Sequence, residues 1–136
     1  MKINKSNHND KIFVLQGPNF NLLKLKKLPI EKLNKHIKKQ SQLHNKNVII
    51  FQTNEEGKAV GKLQKYRKKI SGIIFFPGPW IKSGESILDL LNIIKTPYVT
   101  ISDTCEKSIF KGTKNLYGED LFKLVSEAFY LLNKSY

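Results

Sequence analysis

The chain has 136 residues, with 24 Lys and Arg against 11 Asp and Glu for a formal net charge of +13, and it is 40% hydrophobic and 26% charged. That length and balance suit one globular domain with one core, and they exclude an intrinsically disordered chain or two independent domains. No stretch approaches the roughly 20 apolar residues that span a bilayer. The opening MKINKSNHND lacks an apolar signal core, and the lone Cys105 excludes an internal disulfide and a multi-cysteine metal site. These features predict a cytoplasmic protein with no membrane partner.

The charge invites a nucleic-acid reading, but Arg67 is the only arginine. Phosphate and base recognition favour arginine's bidentate fork, so composition argues against specific nucleic-acid recognition. Crowding with Lys, Asn and Ile fits compositional drift and a solvated basic surface.

In chain order, residues 1 to 10 are polar and aperiodic and read as a flexible leader, with residues 11–136 as one domain. Lys11–Gln16 is a short apolar run ended by Gly-Pro, the pattern of a strand buried on both faces. Pro29 suits the first turn of a helix carrying Ile30, Leu33 and Ile37 and running to about His44. Val48–Gln52 predicts a second strand. Asn54 predicts an N-cap for a helix carrying Ala59, Leu63, Tyr66 and Ile70, weakened by Gly57 and Gly61. Ile73–Phe76 is a third strand stopped by Pro77-Gly78-Pro79, followed after Ser83 by a helix with Ile87, Leu88, Leu91 and Ile94. Pro97–Ser102 is a fourth strand, and Asp120–Leu132 a final amphipathic helix.

Short apolar strands alternating with helices specify parallel βαβ units, giving an α/β doubly wound sheet with helices on both faces. Ligands in such sheets sit beyond the carboxyl ends of the strands, which directs attention to residues 16–21, 52–56, 77–83 and 102–111. In the first of these, Gly17-Pro18-Asn19 forms a tight turn that offers the amides of Asn19 and Asn21 to a polar ligand, although turn chemistry alone also explains these residues.

The segment F-V-L-Q-G-P-N-F-N-L-L at 13–23 resembles the opening of type II 3-dehydroquinases. F-Q-T-N-E-E-G at 51–57, F-P-G-P-W-I-K-S at 76–83, and V-T-I-S-D at 99–103 followed by Phe110-Lys111 agree in order and spacing. The resemblance implies a flavodoxin-like sheet, a trimer-based homo-oligomer extending to a dodecamer, and removal of water from 3-dehydroquinate through an enolate with no cofactor. In the family a loop tyrosine, helped by an arginine, takes the α-proton, and a histidine acts as general acid toward the departing hydroxyl.

Carried over by position, the resemblance leaves gaps. The chain passes from Leu23 through Lys24-Leu25-Lys26-Lys27 to Pro29 with no tyrosine, and only Lys27 stands near the arginine's place. The general-acid histidine falls at Thr100, the substrate-binding histidine at Lys82, a buried asparagine at Phe76 and the carboxylate-clamping arginine at Lys111. Asn19, Asp89, Ile101 and Ser102 keep the family's substrate-binding pattern, with Gly17, Pro18 and Gly78 as frame. Lys82 is the candidate substitute base, if burial beside Lys111 favours its neutral form. His8, His36 and His44 match no motif. The family's fifth strand has at most Lys114–Tyr117, which leaves four strands or five.

Three readings stay open. The chain is a dehydratase whose activity is weak or lost, a non-catalytic relative binding a small anion between Asn19, Ser102, Lys82 and Lys111, or a basic assembly or RNA-associated protein using the helix at Glu31–Lys46.

Overall fold

The computed structural model describes residues 10–22, 29–103 and 107–134. Residues 1–9 of the expected leader, Lys24–Lys27 and Cys105 lie outside them.

Five parallel strands form one sheet in the order β2-β1-β3-β4-β5. They are β1 (Lys11–Gln16), β2 (Asn47–Gln52), β3 (Ile70–Phe76), β4 (Tyr98–Ser102) and β5 (Lys114–Tyr117). Among the described residues four α-helices connect or follow them: α1 (Ile30–Leu43), α2 (Glu56–Tyr66), α3 (Glu85–Ile94) and α4 (Leu121–Asn133). This is the flavodoxin-like order, with its topological switch between β1 and β3.

The alternation of side chains along β1 explains the layering. Ile12 and Val14 join Leu33 and Ile37 of α1 and the apolar face of α4, whereas Phe13 and Leu15 join Ala59 and Leu63 of α2 and Ile87 and Leu91 of α3. A strand apolar at every position therefore serves two cores. Each such side chain, once fully buried, contributes about 1.5–3 kcal/mol. On the α2/α3 side, the Glu56 carboxylate accepts the Ser86 amide at 2.9 Å, placing negative charge at the start of α3, where helix-end donors favour it.

The sheet has five strands, the larger of the two numbers that the sequence allowed: β5 pairs in parallel with β4, Thr100 opposite Asn115, as a short edge strand. Two expectations are corrected. Ile70 opens β3 instead of continuing α2. Gly72 extends the strand, because a Cβ there would press within 3.2 Å of Ile12 and the Leu132 methyls. Asn54 does not cap α2. Glu55 occupies the N-cap position, and the Thr53 hydroxyl accepts the Glu55 amide at 3.0 Å, leaving Asn54 for another task.

Candidate functional site

The carboxyl end of β1 is clamped between its neighbours. Gly17 N–H donates to Phe76 O at 2.9 Å on one side, and Thr53 N–H donates to Gln16 O at 3.0 Å on the other. A Cβ at Gly17 would stand 2.7 Å from Pro77 O and 2.9 Å from Phe76 O, so only glycine lets the ends of β1 and β3 approach this closely.

Beyond Gly17 the chain turns through Asn19, held at φ 65°, a left-handed conformation that asparagine tolerates better than most residues. The turn is fixed from β2. Asn54 Oδ1 accepts the Asn19 amide at 2.9 Å, while Gln52 Nε2 donates to Gly17 O at 3.0 Å and to Asn54 Oδ1 at 3.2 Å. From α1, Asn34 Oδ1 accepts Gln16 Nε2 at 2.8 Å. Gly78, at φ 53°, faces this turn from the end of β3 with its Cβ position 3.7 Å from Pro18 O. The turn at the switch point is thus a rigid polar shelf that leaves Asn19 exposed.

The other candidate residues are distributed around this shelf. Phe76 is buried and packs its ring on Phe20, centroids 4.6 Å apart, so an aromatic pair lies at this end of β3. Lys82 ends the 3₁₀ turn Gly78–Lys82 and is exposed, so the burial that a substitute base would require is missing. Asp89 is exposed midway along α3. Ile101 buries its side chain against the α1/α4 layer, which leaves its backbone for any polar contact, and Ser102 ends β4 half-buried.

Thr100 faces the opposite layer and is 3% exposed. Its hydroxyl donates to Asn115 Oδ1 at 2.6 Å, and Asn115 Nδ2 donates to Phe110 O at 3.0 Å. Phe110 sits edge-on to Phe75 with centroids 4.9 Å apart, so the polar chain ends in a closed apolar wall. Lys111 is exposed, and its backbone N–H donates at 3.1 Å to the hydroxyl of Tyr98, the first residue of β4. Burial pushes the Tyr98 phenol above its ordinary value of 10.0, partly offset by that amide.

The described histidines serve packing. His36 Nε2 lies 2.9 Å from Phe122 O and 3.1 Å from Ser126 Oγ, tying α1 to α4, and His44 stacks on Phe129. Among the described residues no three His, Cys, Asp or Glu side chains gather as metal ligands, and no helix is long and apolar enough to cross a membrane.

Sequence reasoning missed Asn115 and the bracing by Gln52 and Asn54. The F-Q-T-N segment contained the second signal, because two amides beside a strand end are natural partners for a turn's backbone. Asn115 was visible only through the register of a strand too short to read.

Comparison with known proteins places this geometry. A family model described as "Dehydroquinase class II" matches residues 10–119. A curated 3-dehydroquinate dehydratase of Clostridium botulinum is 31% identical over 96 residues, covering 66% of this chain and 65% of the relative. Another, of Carboxydothermus hydrogenoformans, is 29% identical over 97 residues, 67% of this chain and 63% of its own length. The match therefore spans somewhat less than two thirds of these relatives. Among solved structures, the type II dehydroquinase from Propionibacterium acnes superposes with a TM-score of 0.82 at 19% identity, over 93% of this chain and 100% of that one. A 3-dehydroquinate dehydratase-like protein from Bifidobacterium longum gives 0.68 at 16% identity, over 90% and 97%. These two likenesses establish the shared fold.

Proposed function

The chain belongs to the class II dehydroquinase family, and from that premise we propose that it binds 3-dehydroquinate at the carboxyl ends of β1, β3 and β4 and converts it to 3-dehydroshikimate only weakly. In this reading Asn19, Ser102 and the Ile101 backbone supply hydrogen bonds, and Lys82 and Lys111 supply positive charge for the substrate carboxylate. Asp89 reaches a neighbouring subunit of a trimer-based, cytoplasmic homo-oligomer.

The observation that carries the reading is the commitment of Thr100. At the general-acid position stands a buried aliphatic hydroxyl, which does not titrate near neutral pH and whose proton already serves Asn115 at 2.6 Å. A positioned general acid is worth about 10²–10⁴-fold, and the absence of a tyrosine between Leu23 and Pro29 removes the base as well. The shelf around Gly17 needs neither group, so binding outlasts chemistry.

The test pairs a dehydration assay with calorimetric titration of 3-dehydroquinate, on the purified chain and on Lys82→Ala. Binding that weakens in Lys82→Ala, with turnover at least about 10²-fold below a complete relative, agrees with the proposal. Turnover matching that relative overturns the catalytic half, and no binding by the purified chain overturns the binding half.

A further inference from the structure

The end of the sheet opposite the candidate site gathers cations beside a single described carboxylate. In a parallel sheet covered by returning helices, strand starts and helix ends share one face. Here Lys46 precedes β2, Lys11 opens β1, Lys69 precedes β3 and Lys114 opens β5. Lys11 stands opposite Asn47 and Ile70, which makes Lys46, Lys11 and Lys69 lateral neighbours. The Lys46 ammonium lies across this end, donating to Ser71 Oγ of β3 at 3.4 Å. Lys95 and Lys134 cap the carboxyl ends of α3 and α4 on the same face, and Arg67-Lys68 closes α2.

The acids sort the other way. Glu31, Glu56 and Glu85 lie in the first turns of α1, α2 and α3, and Asp120 is the N-cap of α4. Among the described residues, Asp10 is the one carboxylate at the basic end. Helix dipoles account for cations at helix ends, but strands carry almost no net dipole. Lys46 and Lys69 follow the ends of α1 and α2 closely enough for the dipole to account for them, but Lys11 and Lys114 are not explained that way.

Five strands span about 19 Å at about 4.8 Å each. Over that length one strand of a nucleic-acid duplex presents about six phosphates, at about 3.4 Å apiece. Lysine provides charge without the fork that reads bases, which suits backbone contact. A lipid surface would call for apolar side chains projecting beyond the cations. The exposed Leu43 and Ile93 are in the last turns of α1 and α3, where the Cα–Cβ bonds tilt toward the helix start and away from this face.

We propose that the amino end of the sheet binds the phosphate backbone of duplex nucleic acid without reading its sequence. This surface is remote from Gly17-Pro18-Asn19 and independent of any dehydratase activity.

The test measures the affinity of the full chain for a short fluorescent DNA duplex of mixed sequence across a salt series. Removing three strand-start cations in Lys11→Gln/Lys69→Gln/Lys114→Gln should lower the slope of log affinity against log salt by about 2.7, at about 0.9 per phosphate contact. The charge-matched set Lys32→Gln/Lys35→Gln/Lys123→Gln, at the opposite ends of α1 and α4, should leave it unchanged. Thermal unfolding checks both sets, and Lys68→Gln/Lys95→Gln/Lys134→Gln replaces the first should it fail to fold. Equal loss from both sets would assign binding to diffuse charge and overturn the proposal. So would absence of salt-dependent binding, or competition of the duplex by phosphatidylserine vesicles but not by unlabelled DNA.

Discussion

Thr100 and Asn115 face each other across the β4–β5 pair, and the 2.6 Å hydrogen bond between them occupies the Thr100 hydroxyl inside the sheet. The bond makes Thr100 a structural residue. Thr100→Val, nearly the same in shape, should destabilise the fold by about 1–3 kcal/mol by leaving Asn115 Oδ1 without its donor. Thr100→Ser should lose less. Denaturant midpoints check both, and a neutral Thr100→Val would remove the assignment.

Glycine positions separate crowding from freedom. Gly17→Ala forces a methyl against two carbonyl oxygens within 2.9 Å and should cost at least about 1–3 kcal/mol. Gly61, within α2, has nothing within 4 Å of its Cβ position. Gly61→Ala should therefore stabilise by up to about 1 kcal/mol. Thermal melts of the two variants should move in opposite directions.

Asn54 is expected to matter more for binding than for stability. Asn54→Ala removes the acceptor that holds Asn19 N–H and leaves Gln52 with one partner. The stability cost is about 0.5–1.5 kcal/mol, as for one ordinary hydrogen bond. Titration with 3-dehydroquinate should show weaker affinity than this cost alone would suggest, because the turn loses its register. Unchanged affinity would detach Asn54 from the site.

Tyr98 gives the fold an alkaline limit. Its phenol is pushed up by burial, so above pH 10.0 the unfolded chain releases this proton before the folded chain does. With fewer protons bound in the unfolded state, stability falls as pH rises through that window and is complete below it. Tyr98→Phe, although weakened by loss of the Lys111 amide contact, should show a shallower decline between pH 9 and 11 (about one unit either side of the ordinary tyrosine value). Parallel profiles would contradict the assignment.

The fold was legible where one physical signal dominated. Apolar runs such as Ile12–Leu15 can only be strands buried on both sides, and Gly17-Pro18 can only end one. The reading failed where two signals overlapped. Ile70 extends the helical spacing of Leu63 and Tyr66, yet it belongs to β3, because the Gly72 gap that Leu132 fills is made by tertiary packing. Asn54 has cap chemistry, but its oxygen went to a turn 35 residues away. Asn115, in a strand of four residues, had no periodicity to show. At the site, the resemblance directed attention to Thr100, whereas the fate of its proton needed the register of β5.

The most direct measurement is the rate at which the purified chain dehydrates 3-dehydroquinate, beside the Clostridium botulinum relative at saturating substrate. Turnover at least about 10²-fold slower, with substrate still bound, is the predicted result. Equal turnover would show that the committed hydroxyl of Thr100 does not limit the chemistry, and the account of this site would fall.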